Sequence, residues 1–182
     1  MPSKPPSATL LSQNPPLPAD DFIAALWVPI ARLMSERRRI LTMIDRLSLD
    51  DWAKPSAADG WTRRDILAHL ASHEVNHHRA LRAVLDGNPL TVWQPDPDDP
   101  TLDLADWNKQ RVAERAAWPL RRVADELNAN LATTLDLLRQ VEDRHLSSGY
   151  GFIDNLLGGI DRRVVHEREH ADDIVNGPQM MH

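Results

Sequence analysis

The sequence predicts an all-α protein: a four-helix bundle with a long loop between its second and third helices. Three observations carry this. Apolar residues recur every three to four positions in four long segments, the repeat that lines one face of a helix. No segment alternates apolar and polar residues at the two-residue period of a strand. Proline, glycine and acidic clusters fall mainly between the apolar segments, while Pro29 sits inside the first. Four amphipathic helices bury their apolar faces most simply against one another.

The chain has 182 residues, enough for one domain with a real core. Its formal net charge of −6 argues against a phosphate-binding surface, so nucleic acid is not an expected partner. No stretch is apolar for long enough to span a membrane. There is no cysteine, which removes disulfides, thiolate zinc sites and thiol nucleophiles together and fits a cytoplasmic address. Six of the nine aromatic residues are tryptophan. Such rings line pockets as readily as they fill cores, and Trp61, Trp93 and Trp107 are the pocket candidates.

Residues 1–19 are rich in Pro and Ser and read as a flexible or extended arm, which could lie across a second copy of the chain. The bundle is expected over 20–176, with a short tail at 177–182. Asp20 and Asp21 offer an N-cap for a first helix from about 20 to 47, through Leu26, Ile30, Leu33, Met34, Ile40, Leu41 and Ile44. Arg37-Arg38-Arg39 reads as a solvated face. Leu49 to Gly60 reads as a connection. Thr62 followed by Asp65 approximates a capping box for the second helix, which carries Ile66, Leu67, Leu70, Leu81 and Val84 and stops at Gly87.

Asn88 to Asp103 holds four prolines and Trp93 and is expected as a loop over the mouth of a pocket, with Trp107 nearby. Leu104 to Trp118 is again compatible with a helix. Pro119 allows a fresh start, and Leu120, Val123, Leu127, Leu131, Leu135 and Leu138 form the third stripe. The last stripe runs from Ile153 through Leu156, Ile160, Val164, Ala171 and Ile174, and ends at Asn176-Gly177-Pro178.

Six of the eight histidines fall on two of these helices. His166 and His170 are four residues apart on the last one, so both imidazoles can reach one metal ion. His69, His73, His77 and His78 lie on the second. His69 sits among Ile66, Leu67 and Leu70, on the apolar face. His73 and His77 extend the line by one turn each, and His73 is a further pocket candidate. Imidazole is the commonest neutral metal ligand near pH 7.

Gly60-Trp61-Thr62-Arg63-Arg64-Asp65-Ile66-Leu67-Ala68-His69-Leu70 resembles the second-helix signature of the DinB/YfiT-like four-helix-bundle superfamily. It is most similar to the branch containing mycothiol-dependent maleylpyruvate isomerases. His166 and His170, followed by Ala171-Asp172-Asp173-Ile174, resemble that superfamily's last-helix metal motif. The resemblance implies a divalent metal held by His69, His166 and His170. It also implies a metal-dependent transferase or isomerase that uses a low-molecular-weight thiol. The isomerase branch favours Glu in the place of His166, whereas wider DinB-like proteins favour His.

Three imidazoles suit Zn²⁺ best, with Ni²⁺, Fe²⁺, Mn²⁺ and Co²⁺ as alternatives, and they leave coordination positions open. Glu74 and Asp173 are the expected acceptors behind the ligand rings. Two other readings stay open. His166-Glu167-Arg168-Glu169-His170 also spells a His-Glu-x-x-His hydrolase motif, in which Glu167 is the catalytic base. A non-catalytic, stress-related metal-binding protein would keep the same residues, and His166 and His170 can also be plain surface residues on a charged helix face.

Overall fold

In the computed structural model the chain is helical, and residues 21–58, 60–89, 94–99, 101–150 and 153–176 are described. The helices are α1 (Ala24–Arg46), α2 (Leu49–Trp52), α3 (Arg63–Leu85), α4 (Leu104–Glu114), α5 (Leu120–Leu138) and α6 (Leu156–Asn176), with a 3₁₀ turn at Asp143–His145. Among the described residues β structure is limited to two isolated bridges, Pro55 with Thr62 and Tyr150 with Ile153. The expected arm at 1–19, the tail at 177–182 and Trp93 lie outside the described residues.

Helices α1, α3, α5 and α6 form the four-helix bundle. Their main contacts run α3 to α5 and α1 to α6, with α3 also against α6 and α4. The apolar stripes meet inside. Leu26, Ile30, Leu33, Ile66, Leu67 and Leu127 are each fully buried, and each such side chain stabilises the fold by about 1.5–3 kcal/mol through removal from water. None of the described helices is long and apolar enough to cross a membrane.

Local chemistry sets the helix that carries most of the histidines. Thr62 Oγ1 accepts from the Asp65 amide at 3.2 Å, and the Asp65 carboxylate accepts from the Thr62 amide at 2.9 Å. The expected capping box is therefore formed, with Asp in the place of the usual Glu or Gln. At the other end Gly87 has φ +71°. The Gly87 amide donates to the Val84 carbonyl and the Asn88 amide to the Ala83 carbonyl. This is a Schellman closure, which needs the left-handed backbone that glycine adopts without strain.

Several boundaries differ from the sequence expectation. Helix α1 is capped by Ile23 without a side-chain bond, not by Asp20 or Asp21, and Pro29 lies buried within it. The Leu49–Gly60 connection contains α2, a single turn closed by a Ser48–Asp51 capping box that buries Trp52. Pro119 is the N-cap of α5, one position before the expected N1. Ile153 precedes α6 and pairs with Tyr150.

The loop after α3 leads into α4, which lies against α3. Arg64 holds the end of α4 in place by donating to the carbonyls of Arg115, Ala116 and Trp118. One guanidinium thus ties the start of α3 to the turn that joins α4 to α5.

Candidate metal centre

Helices α3 and α6 bring the two histidine groups together. The ligand nitrogens of His69, His166 and His170 all lie within 4.8 Å of one another. His69 Nε2 and His166 Nε2 are 3.1 Å apart. The three rings meet edge to face, with centroids 5.2, 4.9 and 4.5 Å apart. Two facing imine nitrogens at that distance repel unless a proton or cation sits between them. Nitrogens bound to one tetrahedral ion at about 2.0–2.1 Å would stand roughly 3.3 Å apart, so the donor set fits a divalent metal.

The other ring nitrogens are set from behind. His170 Nδ1 lies 2.9 Å from Asp173 Oδ2. A proton on that Nδ1 leaves Nε2 as the free lone pair, the form a metal requires. Asn108 on α4 is the polar side chain that meets the His69 ring. Neither His69 Nδ1 nor Asn108 Oδ1 makes a well-formed hydrogen bond.

Burial keeps His69, His166 and His73 neutral. It is the largest influence on His69, which lies well below the ordinary imidazole value, with the neighbouring His170 and His73 adding to the effect. His166 is driven down strongly by burial and then by His73, His170 and His69. His73 falls to about 4, because burial outweighs the nearby Glu74 charge. At neutral pH these rings offer lone pairs rather than positive charge.

The histidines line a cavity of about 420 Å³. His69, His73 and His77 come from α3, and Gly159, Arg162, Arg163, His166 and His170 from α6. Trp61, Leu104, Asn108 and Tyr150 complete much of the wall. Tyr150 donates to the His77 carbonyl at 3.1 Å and lies 3.3 Å from His77 Nδ1. Its ring sits over Gly159, where an added Cβ would come within 2.3 Å of it.

Most of the sequence candidates are in this place. Trp61 lines the cavity with its ring 5.0 Å from that of His69. His73 lines it too, 4.9 Å from the His166 ring. Trp107 is buried behind His73 at 6.2 Å rather than on the wall, and its helix contributes Leu104 and Asn108 instead.

Two candidates point elsewhere. Glu167, expected as a catalytic base, is 1% exposed and is bound by Arg37, through Nη2 at 2.6 Å and Nε at 3.1 Å. Glu74, expected behind a ligand ring, is bound by Arg37 Nη2 at 2.6 Å and by Arg163. Each lies one residue from a cavity histidine, and one residue rotates a helical side chain by about 100°. That rotation turns both carboxylates into the bundle interior.

The interior carboxylates belong to a group that sequence reasoning missed. Arg37 is fully buried, not solvated with Arg38 and Arg39. It also donates to the Leu127 carbonyl. Arg163 bonds Thr134 Oγ1 at 3.0 Å and lies 3.7 Å from Glu167. Two arginines and two glutamates cancel in charge and tie α1, α3, α5 and α6 together. The signal was present: Arg37, Glu74, Arg163 and Glu167 all sit on the apolar stripes of their helices. Tyr150, Asn108 and Arg162 were also missed, and only Arg162, four residues before His166, carried a spacing clue.

The fold and cavity define a helical bundle with a three-histidine candidate centre between its second and last long helices. The chain belongs to the family of mycothiol maleylpyruvate isomerase N-terminal domains, whose model matches residues 33–173. The crystal structure of the mycothiol-dependent maleylpyruvate isomerase is similar over 82% of this chain and 60% of its own, with a TM-score of 0.67 at 14% identity. That is a likeness of fold, and this chain spans 60% of that isomerase's length. No curated protein matches the sequence.

Proposed function

We propose that this protein is a metal-dependent enzyme that uses a low-molecular-weight thiol in a transfer or isomerisation reaction, with Zn²⁺ the best-suited ion. The observation that supports it most is the convergence of three imidazoles on the wall of a cavity large enough for a small molecule. His69, His166 and His170 would hold the ion. When bound, it would supply Lewis acidity that favours the deprotonated form of a thiol or a water.

The chain's own groups do the rest. Asp173 orients His170 by accepting from its Nδ1–H, and the apolar surroundings keep His69 and His166 unprotonated. The chain has no cysteine, so any thiol must come from a cosubstrate. Trp61 and Leu104 give the cavity apolar wall.

A hydrolase with Glu167 as base has less support. Its carboxylate is enclosed and committed to Arg37, so it has no path to a proton in the cavity.

The test is metal stoichiometry at neutral pH for the wild type and for His69→Ala, His166→Ala and His170→Ala. About one ion per wild-type chain is expected, and ~10-fold or more weaker affinity in each variant. His145→Ala serves as control, since His145 lies in the 3₁₀ turn with Nδ1 on the Glu142 amide. A wild type that binds no divalent metal overturns the reading. Full metal in His69→Ala together with loss in His73→Ala would move the α3 ligand by one turn.

A further inference from the structure

His69 differs from His170 in what stands behind it. His170 Nδ1 has Asp173 Oδ2 at 2.9 Å, supplied by its own helix. The carboxylate expected behind a ligand ring from α3, Glu74, is turned inward and bound by Arg37 and Arg163. His69 Nε2 faces His166 Nε2 at 3.1 Å, so Nδ1 is the ring nitrogen left to be held. That atom is enclosed and has no well-formed hydrogen bond, and Asn108 Oδ1 is enclosed and without one too. Asn108 lines the same cavity and meets the His69 ring. Buried polar atoms without partners are few in a native fold, and each asks for a reason. Here one atom can carry a proton and the other can accept it, on side chains that already meet.

We propose that Asn108 is a positioning residue for His69: its carboxamide oxygen accepts from His69 Nδ1–H and leaves Nε2 as the lone pair turned toward His166. This rests on the three-histidine reading above, but the choice of tautomer exists with or without an ion. A neutral imidazole carries one proton, on one nitrogen or the other. An acceptor at Nδ1 draws the proton there, because a buried N–H without a partner is costly. In the metal-free chain His166 Nε2–H can then donate across the 3.1 Å gap to His69 Nε2, the lone pair a metal would use. An amide suits this place, since it accepts without adding a charge to a buried wall. The assignment also gives α4 a role. Asn108 follows Trp107, which is buried against His73, and Arg64 holds the far end of the helix. The docked helix thus offers an acceptor to a ring of α3 whose Nδ1 receives none from α3 or α6.

The test compares the wild type with Asn108→Leu, which keeps the size and removes the acceptor, and Asn108→Asp, which keeps an acceptor. Nitrogen-15 NMR of histidine-labelled, chelator-treated protein reads which ring nitrogen of His69 carries the proton, with the signal assigned by its loss in His69→Gln. The wild type and Asn108→Asp should hold the proton on Nδ1, and Asn108→Leu should move it to Nε2 or spread it over both. Zn²⁺ affinity, from competition with a chromophoric chelator, should fall ~10-fold or more in Asn108→Leu and stay at or above the wild-type level in Asn108→Asp. A role in packing alone would move no proton and would not be rescued by Asp. Circular-dichroism melts check the fold, and Asn108→Ala takes the place of Asn108→Leu if the larger side chain does not fold. A wild-type His69 protonated on Nε2, or a tautomer unchanged on loss of the acceptor, overturns the proposal. So does a Zn²⁺ affinity that the loss of the acceptor leaves unchanged. A wild type that binds no Zn²⁺ overturns the metal reading instead, and the tautomer measurement still decides the role of Asn108.

Discussion

Replacing Arg37 by Ala tests the buried charge group directly. Arg37 is completely enclosed and makes three bonds to two carboxylates, at 3.1, 2.6 and 2.6 Å. Removing it leaves Glu74 and Glu167, 3% and 1% exposed, with Arg163 alone to balance them. One negative charge is then buried without a partner. Breaking a buried pair in this way costs about 3–5 kcal/mol, a large share of the 5–15 kcal/mol that typically holds a domain folded. With a urea slope of about 2 kcal/mol/M, the unfolding midpoint should fall by roughly 1.5–2.5 M.

The double variant Arg37→Met/Glu167→Gln leaves Glu74 matched to Arg163 and should recover roughly half of the loss. Acid gives a second readout. Burial raises the Glu74 carboxyl, but Arg163 and Arg37 together hold it below its ordinary value of 4.5. Its stabilising contribution is therefore complete above that value and is lost as pH falls below it. Arg37→Ala should show a flatter acid limb than the wild type. A loss below ~1 kcal/mol for Arg37→Ala, the scale of a surface ion pair, would refute the reasoning.

Two further outcomes follow from the cavity wall. Gly159→Ala would place a methyl 2.3 Å from the Tyr150 ring, so Tyr150 must leave His77; a cost of about 1–3 kcal/mol is expected in thermal unfolding, and unchanged stability would contradict the packing. Chelator-treated protein should lose stability as pH falls below 6.5, because His73 titrates at about 4 when folded and at 6.5 when unfolded. The unfolded chain takes up protons first in that window, so stability rises with pH through it. A urea midpoint that does not change between neutral pH and pH ~5 would count against the burial of these rings.

The sequence by itself determined the helical class, the four apolar stripes, the Thr62–Asp65 cap, the Gly87 stop and the candidate trio His69, His166 and His170. Apart from the grouping of that trio, which rested on the resemblance, these depend on patterns within one helix, where 3.6 residues per turn decides which side chains share a face. The one-turn helix α2 escaped notice because four residues are too few to display a period. Only the tertiary structure decided what the faces meet. Arg37 looked like one of three solvated arginines until Glu74 and Glu167 arrived from two other helices to neutralise it. The same packing took Glu167 out of the cavity and left Arg162 in it. Burial of a charge depends on a partner distant in sequence, 130 residues away for Arg37 and Glu167, and no local pattern encodes that pairing.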